Sequence, residues 1–213
     1  VPKLPDPPSV DALRAIEPDV HRLVQGTVLA RVYFTAGPYP TRWNEFRRYG
    51  PINARFDHHL PDRVGQPREQ ERAILYCATS AVTCLAEVFQ ETRRIDRARR
   101  APWLAVFRLE CDLELMDLTA TYPTRAGASM AINSGSRARA RAWARAWYDA
   151  FPGVQGIRYA SSMHANEPAI ALTDRAEQLA PLRGHPDFNR ALADDALLDV
   201  LKHTAARLGY GLL

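Results

Sequence analysis

The chain has 213 residues, long enough for one domain with a sizeable core, and 46% of them are apolar. Its net charge of +4 is modest, and its 16 prolines are scattered rather than repeated, which argues against both a nucleic-acid-coating polycation and a disordered chain. No apolar run approaches the roughly 20 residues that cross a bilayer, so the expectation is no membrane span.

The chain begins at Val1 without an initiator methionine, so a trimmed or partial chain is expected. "VPKLPDPPSVDAL" lacks the basic and apolar regions of a signal peptide. Residues 1–8 read as a proline-rich arm, and "SVDALRAIEPDVHRLV" (9–24) as one or two short helices capped by Ser9 or Asp11. Residues 1–26 are thus taken as an N-terminal extension and 27–213 as the catalytic domain, including a C-terminal helix. "TVLARVYF" (27–34) is β-branched and aromatic, a strand. Residues 35–72 read as one long loop, a length that is uncommon unless functional. Within it, His58 and His59 are adjacent; neighbours rarely converge on one metal, so they read as loop residues and no metal site is expected.

"AILYCA" (73–78) predicts a strand, and "TSAVTCLAEVFQET" (79–92) a helix with its apolar stripe at Val82, Leu85, Ala86 and Phe89. Glu87 falls off that stripe and faces water or a cleft. Strands are expected at 103–110, 113–118, 155–162 and 168–174, and a loop or short helix at 119–134. "SRARARAWARAWYDAF" (136–151) is a helix with Trp143 and Trp147 four apart, and Arg137, Arg141 and Arg145 four apart. Residues 193–210 close the chain with another helix. Strands separated by helices and long loops predict an α+β fold. Cys77, Cys84 and Cys111 have no metal or disulfide spacing and read as thiols of a reducing cytoplasm.

No phosphate loop, dinucleotide fingerprint or nucleophile elbow is present. Five residues remain as a dispersed polar set: Arg31, Arg55, Tyr76, Glu87 and a serine near 161. Taken singly, each is more often a surface, turn or core residue than a catalytic one. A separate reading takes the arginine-rich helix as a basic nucleic-acid surface; a third has it dock an acidic partner.

The segments "ARVYF", "NARFDHH", "ILYCATSAVTCLAEVF" and "WARAWYDAFPGVQGIRYASS" together resemble the RES domain, over roughly residues 27–175. Arg31 matches the family's first arginine and Arg55 the arginine of its "GRW"-like loop. Tyr76 matches the strand tyrosine, Glu87 the helix glutamate and Ser161 the serine. Ala54 stands where the family has glycine and Phe56 where it has tryptophan. Ser136 and Ser162 remain alternatives to Ser161.

The resemblance implies an ADP-ribosyltransferase-like mixed sheet with flanking helices, and a bacterial toxin of a toxin–antitoxin pair that degrades NAD by hydrolysis or phosphorolysis. Transfer of ADP-ribose to a protein is the alternative. It implies Glu87, Arg31 and Arg55 as the catalytic set and Arg31, Arg55, Tyr76, Ser161 and Tyr33 as the substrate-binding set. It implies no cofactor beyond NAD as substrate, with inorganic phosphate as a candidate co-substrate. The implied partner is an Xre-like antitoxin that covers the active site, in a homo- or hetero-oligomer, with nucleic acid reached only through that antitoxin. The chemistry suits these residue types. Breaking the nicotinamide–ribose bond builds positive charge on the sugar, which a carboxylate stabilises. Guanidinium groups suit the diphosphate.

Overall fold

The computed structural model describes residues 3–182 and 184–213. A nine-stranded mixed sheet carries the fold. Its strands are β1 (Val20–Leu23), β2 (Val28–Phe34), β3 (Arg47–Gly50), β4 (Arg68–Ala78), β6 (Pro102–Arg108), β7 (Leu113–Asp117), β8 (Gly156–Ala160), β9 (Pro168–Thr173) and β10 (Phe188–Ala191). They run in the order β1-β7-β8-β9-β4-β2-β6-β10, with β3 added beside β4. A separate parallel pair joins β5 (Arg94–Ile95) to β11 (Gly211–Leu212). The helices are α1 (Val10–Arg14), α2 (Ala81–Val88), α3 (Tyr122–Arg125), α4 (Arg137–Ala150), α5 (Asp174–Gln178) and α6 (Leu198–Leu208). The architecture is α+β, as expected.

Several sequence expectations need correction. Residues 20–23 form a strand, not a helix: β1 pairs antiparallel with β7 and so belongs to the main sheet. The long loop holds β3 and the first residues of β4, which runs from Arg68 rather than from 73. Both segments are polar and partly exposed, so they lack the apolar alternation that marks a strand in sequence. Ser9 does cap α1, accepting the N–H of Ala12.

Alternation along the strands sorts the core into two sides. On β4, Ile74 and Tyr76 pack with Phe56, Tyr159 and the buried tryptophans of α4, while Ala78 packs with Leu85 of α2. Leu75 and Cys77 point the other way, into a cluster with Leu29, Tyr33 and Phe107. The sheet therefore has an α2/α4 face and an opposite face. Strands β2 and β4 share only the register pair Ala30↔Ala78, whereas β2 and β6 pair along seven positions. The sheet thus loosens beside the start of α2.

Helix α4 buries Ala140, Trp143, Ala144, Trp147 and Ala150. The Trp143 indole N–H donates to the carbonyl of Pro5 at 2.8 Å, and Arg139 donates to that of Leu4, so the proline-rich arm is docked on α4. Cys77 and Cys84 are buried thiols; burial pushes Cys77 up to about 12 and Cys84 upward as well.

His58 and His59, expected as ordinary loop residues, are fully buried with Asp57. The Asp57 carboxylate meets His59 Nδ1 at 2.5 Å and Arg47 at 2.8 Å. His58 Nε2 lies 3.3 Å from Asp174, which also accepts from the Tyr148 hydroxyl at 2.8 Å and the Ala73 N–H at 3.1 Å. Gly50 is required here, since a Cβ would sit 2.6 Å from the His59 ring. Burial alone would raise both carboxyls, but hydrogen bonds and neighbouring charge reverse it: Asp174 falls to about 2 and Asp57 well below its usual range. Burial also lowers His58, against the pull of Asp174.

These shifts set a pH dependence. A His58 that resists protonation when folded takes up a proton on unfolding once pH drops below 6.5. The two carboxyls stabilise the fold above 3.8 and lose that contribution as pH falls further. The thermal midpoint is therefore expected to be flat from about pH 7 to 8, to decline below about 6.5 and to drop more steeply below about 4. His58→Gln should remove the first decline and keep the second. An unchanged decline between pH 6.5 and 5 in that variant would show that another group is responsible.

Candidate active site

Glu87 lies in the last turn of α2, whose first turn is capped by Ser80. Of the expected stripe, Leu85, Ala86 and Phe89 are buried and Val82 is half-buried, and Thr83 and Cys84 are buried beside them. Thr83 and Glu87, four residues apart, therefore share a side, and both reach the turn that follows β8. His164 Nδ1 lies 3.0 Å from the Thr83 hydroxyl. The Ser161 hydroxyl donates to Glu87 Oε1 at 2.5 Å.

The turn fixes the direction of that bond. Ser161 Oγ already accepts the N–H groups of Met163 at 3.3 Å and His164 at 3.1 Å. A hydroxyl has one proton to give, and here it goes to the carboxylate. Ala165 and Asn166 hold left-handed φ values of 47° and 62°, closing the turn so that the Asn166 N–H reaches the Ser161 carbonyl. Of the three candidate serines, Ser161 is the one that touches Glu87. Ser136 caps α4, and Ser162 is exposed.

Arg55 reaches the same face. Its Nη1 donates to the carbonyls of Ile132 (3.1 Å) and Gly135 (2.9 Å), and no bond from Nε or Nη2 occurs among the described residues. Burial lowers its pKa and the nearby Arg137 adds to this, while Glu87 and Tyr159 pull it back up. Arg55 and Glu87 are thus electrostatic neighbours. Tyr76 belongs to the same group, but its hydroxyl donates to the Arg55 carbonyl at 2.8 Å. Burial holds the Tyr76 and Tyr159 hydroxyls protonated well above their usual range. Phe56, beside Arg55, has φ of 63° and packs tilted against Tyr159 with ring centroids 4.8 Å apart. That left-handed backbone stores strain of about 1 to 3 kcal/mol, which fully buried packing offsets.

Arg31 and Tyr33 are not part of this constellation. They alternate with Ala30 and Val32, which pack toward α2, and so project from the opposite face of the sheet. Arg31 is 7% exposed; its Nη1 donates to the carbonyls of Trp43 (3.1 Å) and Glu45 (2.9 Å). Burial brings its pKa down to about 10. The Tyr33 hydroxyl donates to Asn189 at 2.8 Å. The geometry gives Arg31 the task of pinning the segment after β2, and of the two arginines it is Arg55 that lies near enough to Glu87 to feel its charge.

Two arginines that the dispersed set omitted approach instead from α4. Arg137 pairs with Glu91 at 2.7 Å, and Arg141 donates to the Asn53 side chain at 3.4 Å. The four-residue spacing of Arg137 and Arg141 marked one helix face, but only the packing of Trp143 and Trp147 turns that face toward the Arg55 loop. An open cavity of about 910 Å³ lies at the C-terminal end of the parallel pair β7 and β8, lined by Thr119, Asn133, Arg158 and Ser162 among others. Among the described residues no group of His, Cys, Asp and Glu is arranged to hold a metal, and no helix is long and apolar enough to cross a membrane.

Comparison with known proteins agrees with the fold and with the motif resemblance. No curated protein matches the chain. A solved structure, described as the crystal structure of the M. tuberculosis MbcT–MbcA toxin–antitoxin complex, superposes with a TM-score of 0.57 at 15% identity. The match covers 92% of this chain and 96% of that one, a likeness of fold. The RES domain description matches residues 19–193, beginning just before β1 and ending just after β10. The match spans all nine strands of the main sheet together with Arg55, Glu87 and Ser161, and the chain belongs to the RES domain family.

Proposed function

We propose that the chain is the toxin of a bacterial toxin–antitoxin pair and that it consumes NAD by cleaving the nicotinamide–ribose bond. The observation that carries the reading is the Glu87 carboxylate. It is held at 2.5 Å by the Ser161 hydroxyl on the face that also carries the Arg55 guanidinium.

In the reaction the bond between ribose C1′ and the pyridinium nitrogen breaks, and its electron pair leaves with nicotinamide. The nitrogen becomes neutral without taking a proton, so no general acid is needed. Positive charge develops on C1′ and the ring oxygen, where a fixed carboxylate lowers the barrier. Ser161 keeps one oxygen of Glu87 from swinging away. Water or inorganic phosphate then bonds to C1′ through oxygen; in hydrolysis the water proton leaves to solvent. Arg55, through Nε and Nη2, and Arg137 and Arg141 on α4 are the cations that suit the NAD diphosphate. This replaces the assignment of that task to Arg31. Tyr76 acts by holding the Arg55 backbone.

The similarity of fold to a chain of the MbcT–MbcA toxin–antitoxin complex supports a protein antitoxin as partner; the family resemblance implies that it covers the face carrying Glu87, in the cytoplasm. Arg137 and Arg141 on α4 are half-buried and already engaged by Glu91 and Asn53, which leaves less of this face free for nucleic acid.

Chromatography of NAD incubated with the protein tests the class. Free nicotinamide with ADP-ribose marks hydrolysis, and a phosphate-dependent sugar product marks phosphorolysis. ADP-ribose attached to protein would overturn bulk consumption in favour of transfer. Glu87→Gln is expected to keep the fold and lower turnover about 10²- to 10³-fold. Near-normal turnover would remove Glu87 from the chemistry. Arg31→Gln and Arg55→Gln should separate. The first should cost about 2 to 3 kcal/mol of stability in denaturant titration while the folded protein keeps kcat within about threefold. The second should raise KM for NAD at least about tenfold. A reversed pattern would restore Arg31 to the site.

A further inference from the structure

The turn between β8 and β9 is attached to α2 at two points. Ser161, which opens the turn, donates to Glu87 Oε1 at 2.5 Å, and the His164 ring, at its middle, meets the Thr83 hydroxyl through Nδ1 at 3.0 Å. Thr83 and Glu87 stand four residues apart on α2, one helical turn, and so share a side. The two attachments are also joined within the turn, because the His164 N–H donates to Ser161 Oγ at 3.1 Å. The result is a closed circuit. It runs along α2 from Thr83 to Glu87, through the Ser161 hydroxyl and the His164 N–H to the His164 ring, and back to Thr83.

The anchor of this circuit is well specified. Thr83 is fully buried, and its hydroxyl also lies 2.8 Å from Ser80 Oγ, the atom that caps α2 by accepting the Thr83 N–H. His164 is thereby tied to the capped first turn of the helix. Among the described residues, no other side chain of residues 162–167 hydrogen-bonds outside the turn. Met163 packs against the cluster beneath α2, but an apolar contact sets no direction. Ala165 and Asn166 hold left-handed φ values, which cost free energy and persist only where neighbouring contacts over-determine the backbone. The directional side-chain contact beside them is the bond from His164 to Thr83.

We propose that His164 is a positioning residue for Glu87: by bonding Thr83 it fixes the turn against α2 and so places the Ser161 hydroxyl on the carboxylate. This deepens the reading of Glu87 as the group that stabilises charge on the ribose, and rests on it. Either ring tautomer serves, since a hydroxyl both donates and accepts. Without the bond the helix and the sheet remain, but the hydroxyl strays from Glu87. The loss then falls on the reaction step rather than on NAD binding.

Two variants break the bond. Thr83→Val keeps the volume and the capped N–H but loses the hydroxyl, and His164→Ala loses the ring. Each is expected to lower kcat for NAD about tenfold with KM within about threefold, and the double variant should fall no further than either alone. In a Ser161→Ala background, His164→Ala should change kcat less than about twofold, because the hydroxyl it places is gone. His164→Asn, whose amide reaches the position of Nδ1, should recover at least about half of kcat, whereas His164→Gln, whose amide overreaches it, should not. Independently of turnover, the amide hydrogens of Met163 and His164, both bonded to Ser161 Oγ, should exchange about tenfold faster in Thr83→Val.

A kcat within about twofold of wild type in folded Thr83→Val and His164→Ala would overturn the proposal. So would losses that multiply in full with Ser161→Ala, or an Asn variant no better than the Gln variant. If wild type turns over no NAD, the NAD-cleaving reading fails on its own, and amide exchange decides the role of His164. Faster exchange of those two hydrogens in Thr83→Val upholds it, and unchanged exchange overturns it. If Thr83→Val and His164→Ala fail to fold, the Asn and Gln variants of His164 carry the same comparison.

Discussion

A single hydroxyl connects parts of the chain 74 residues apart: Ser161, in the turn after β8, donates its proton to Glu87 on α2. That bond requires β8 and β4 to stand at a fixed spacing, with β9 paired to both between them. It also requires a turn tight enough to spend both lone pairs of the serine on backbone N–H groups. The carboxylate is oriented by the sheet, through the turn, rather than by its own helix. A glutamate on an exposed helix face would lose its direction to solvent and side-chain entropy.

The arginine opposite is held by a different device. Arg55 leaves a segment whose backbone is strained at Phe56 and whose next residues, Asp57 to His59, are buried as an ionic and hydrogen-bonded cluster. Buried charge is expensive unless paired, and Arg47, His59 and the Ile52 N–H supply Asp57 with its partners. The cluster makes the loop a rigid part of the core. The Arg55 side chain, bonded to the carbonyls of Ile132 and Gly135, carries this rigidity to the segment before α4. The acid is thus fixed by the turn after β8, and the cation by the buried cluster beside it.

Much of the frame was readable from periodicity. Strands at 28–34, 102–108, 113–117, 156–160 and 168–173 and the α4 helix lie where the apolar patterns predict them. The strands that escaped are short and polar, or pair with one partner at an edge. β1, β3 and β10 draw their strand character from neighbours far along the chain. His58 and His59 escaped for a related reason: polar residues between prolines look solvated, and only Asp174, the distant partner of His58, and Arg47, which pairs with the Asp57 that holds His59, make burial tolerable.

By itself the sequence determined the α+β class, the principal strands and helices, and the residue types the chemistry needs, because these follow from local periodicity and from the charge each side chain carries. Which of those residues share a face was decided by the tertiary structure. Arg31 and Arg55 are equally basic in sequence, yet strand alternation sends Arg31 to the far side of the sheet and leaves Arg55 with Glu87. A one-residue alternation is a local fact, but the side of the sheet that receives α2 is set only when β4, β9 and β8 have paired. Pairing across such distances follows from packing the whole chain, and no short window of sequence contains it.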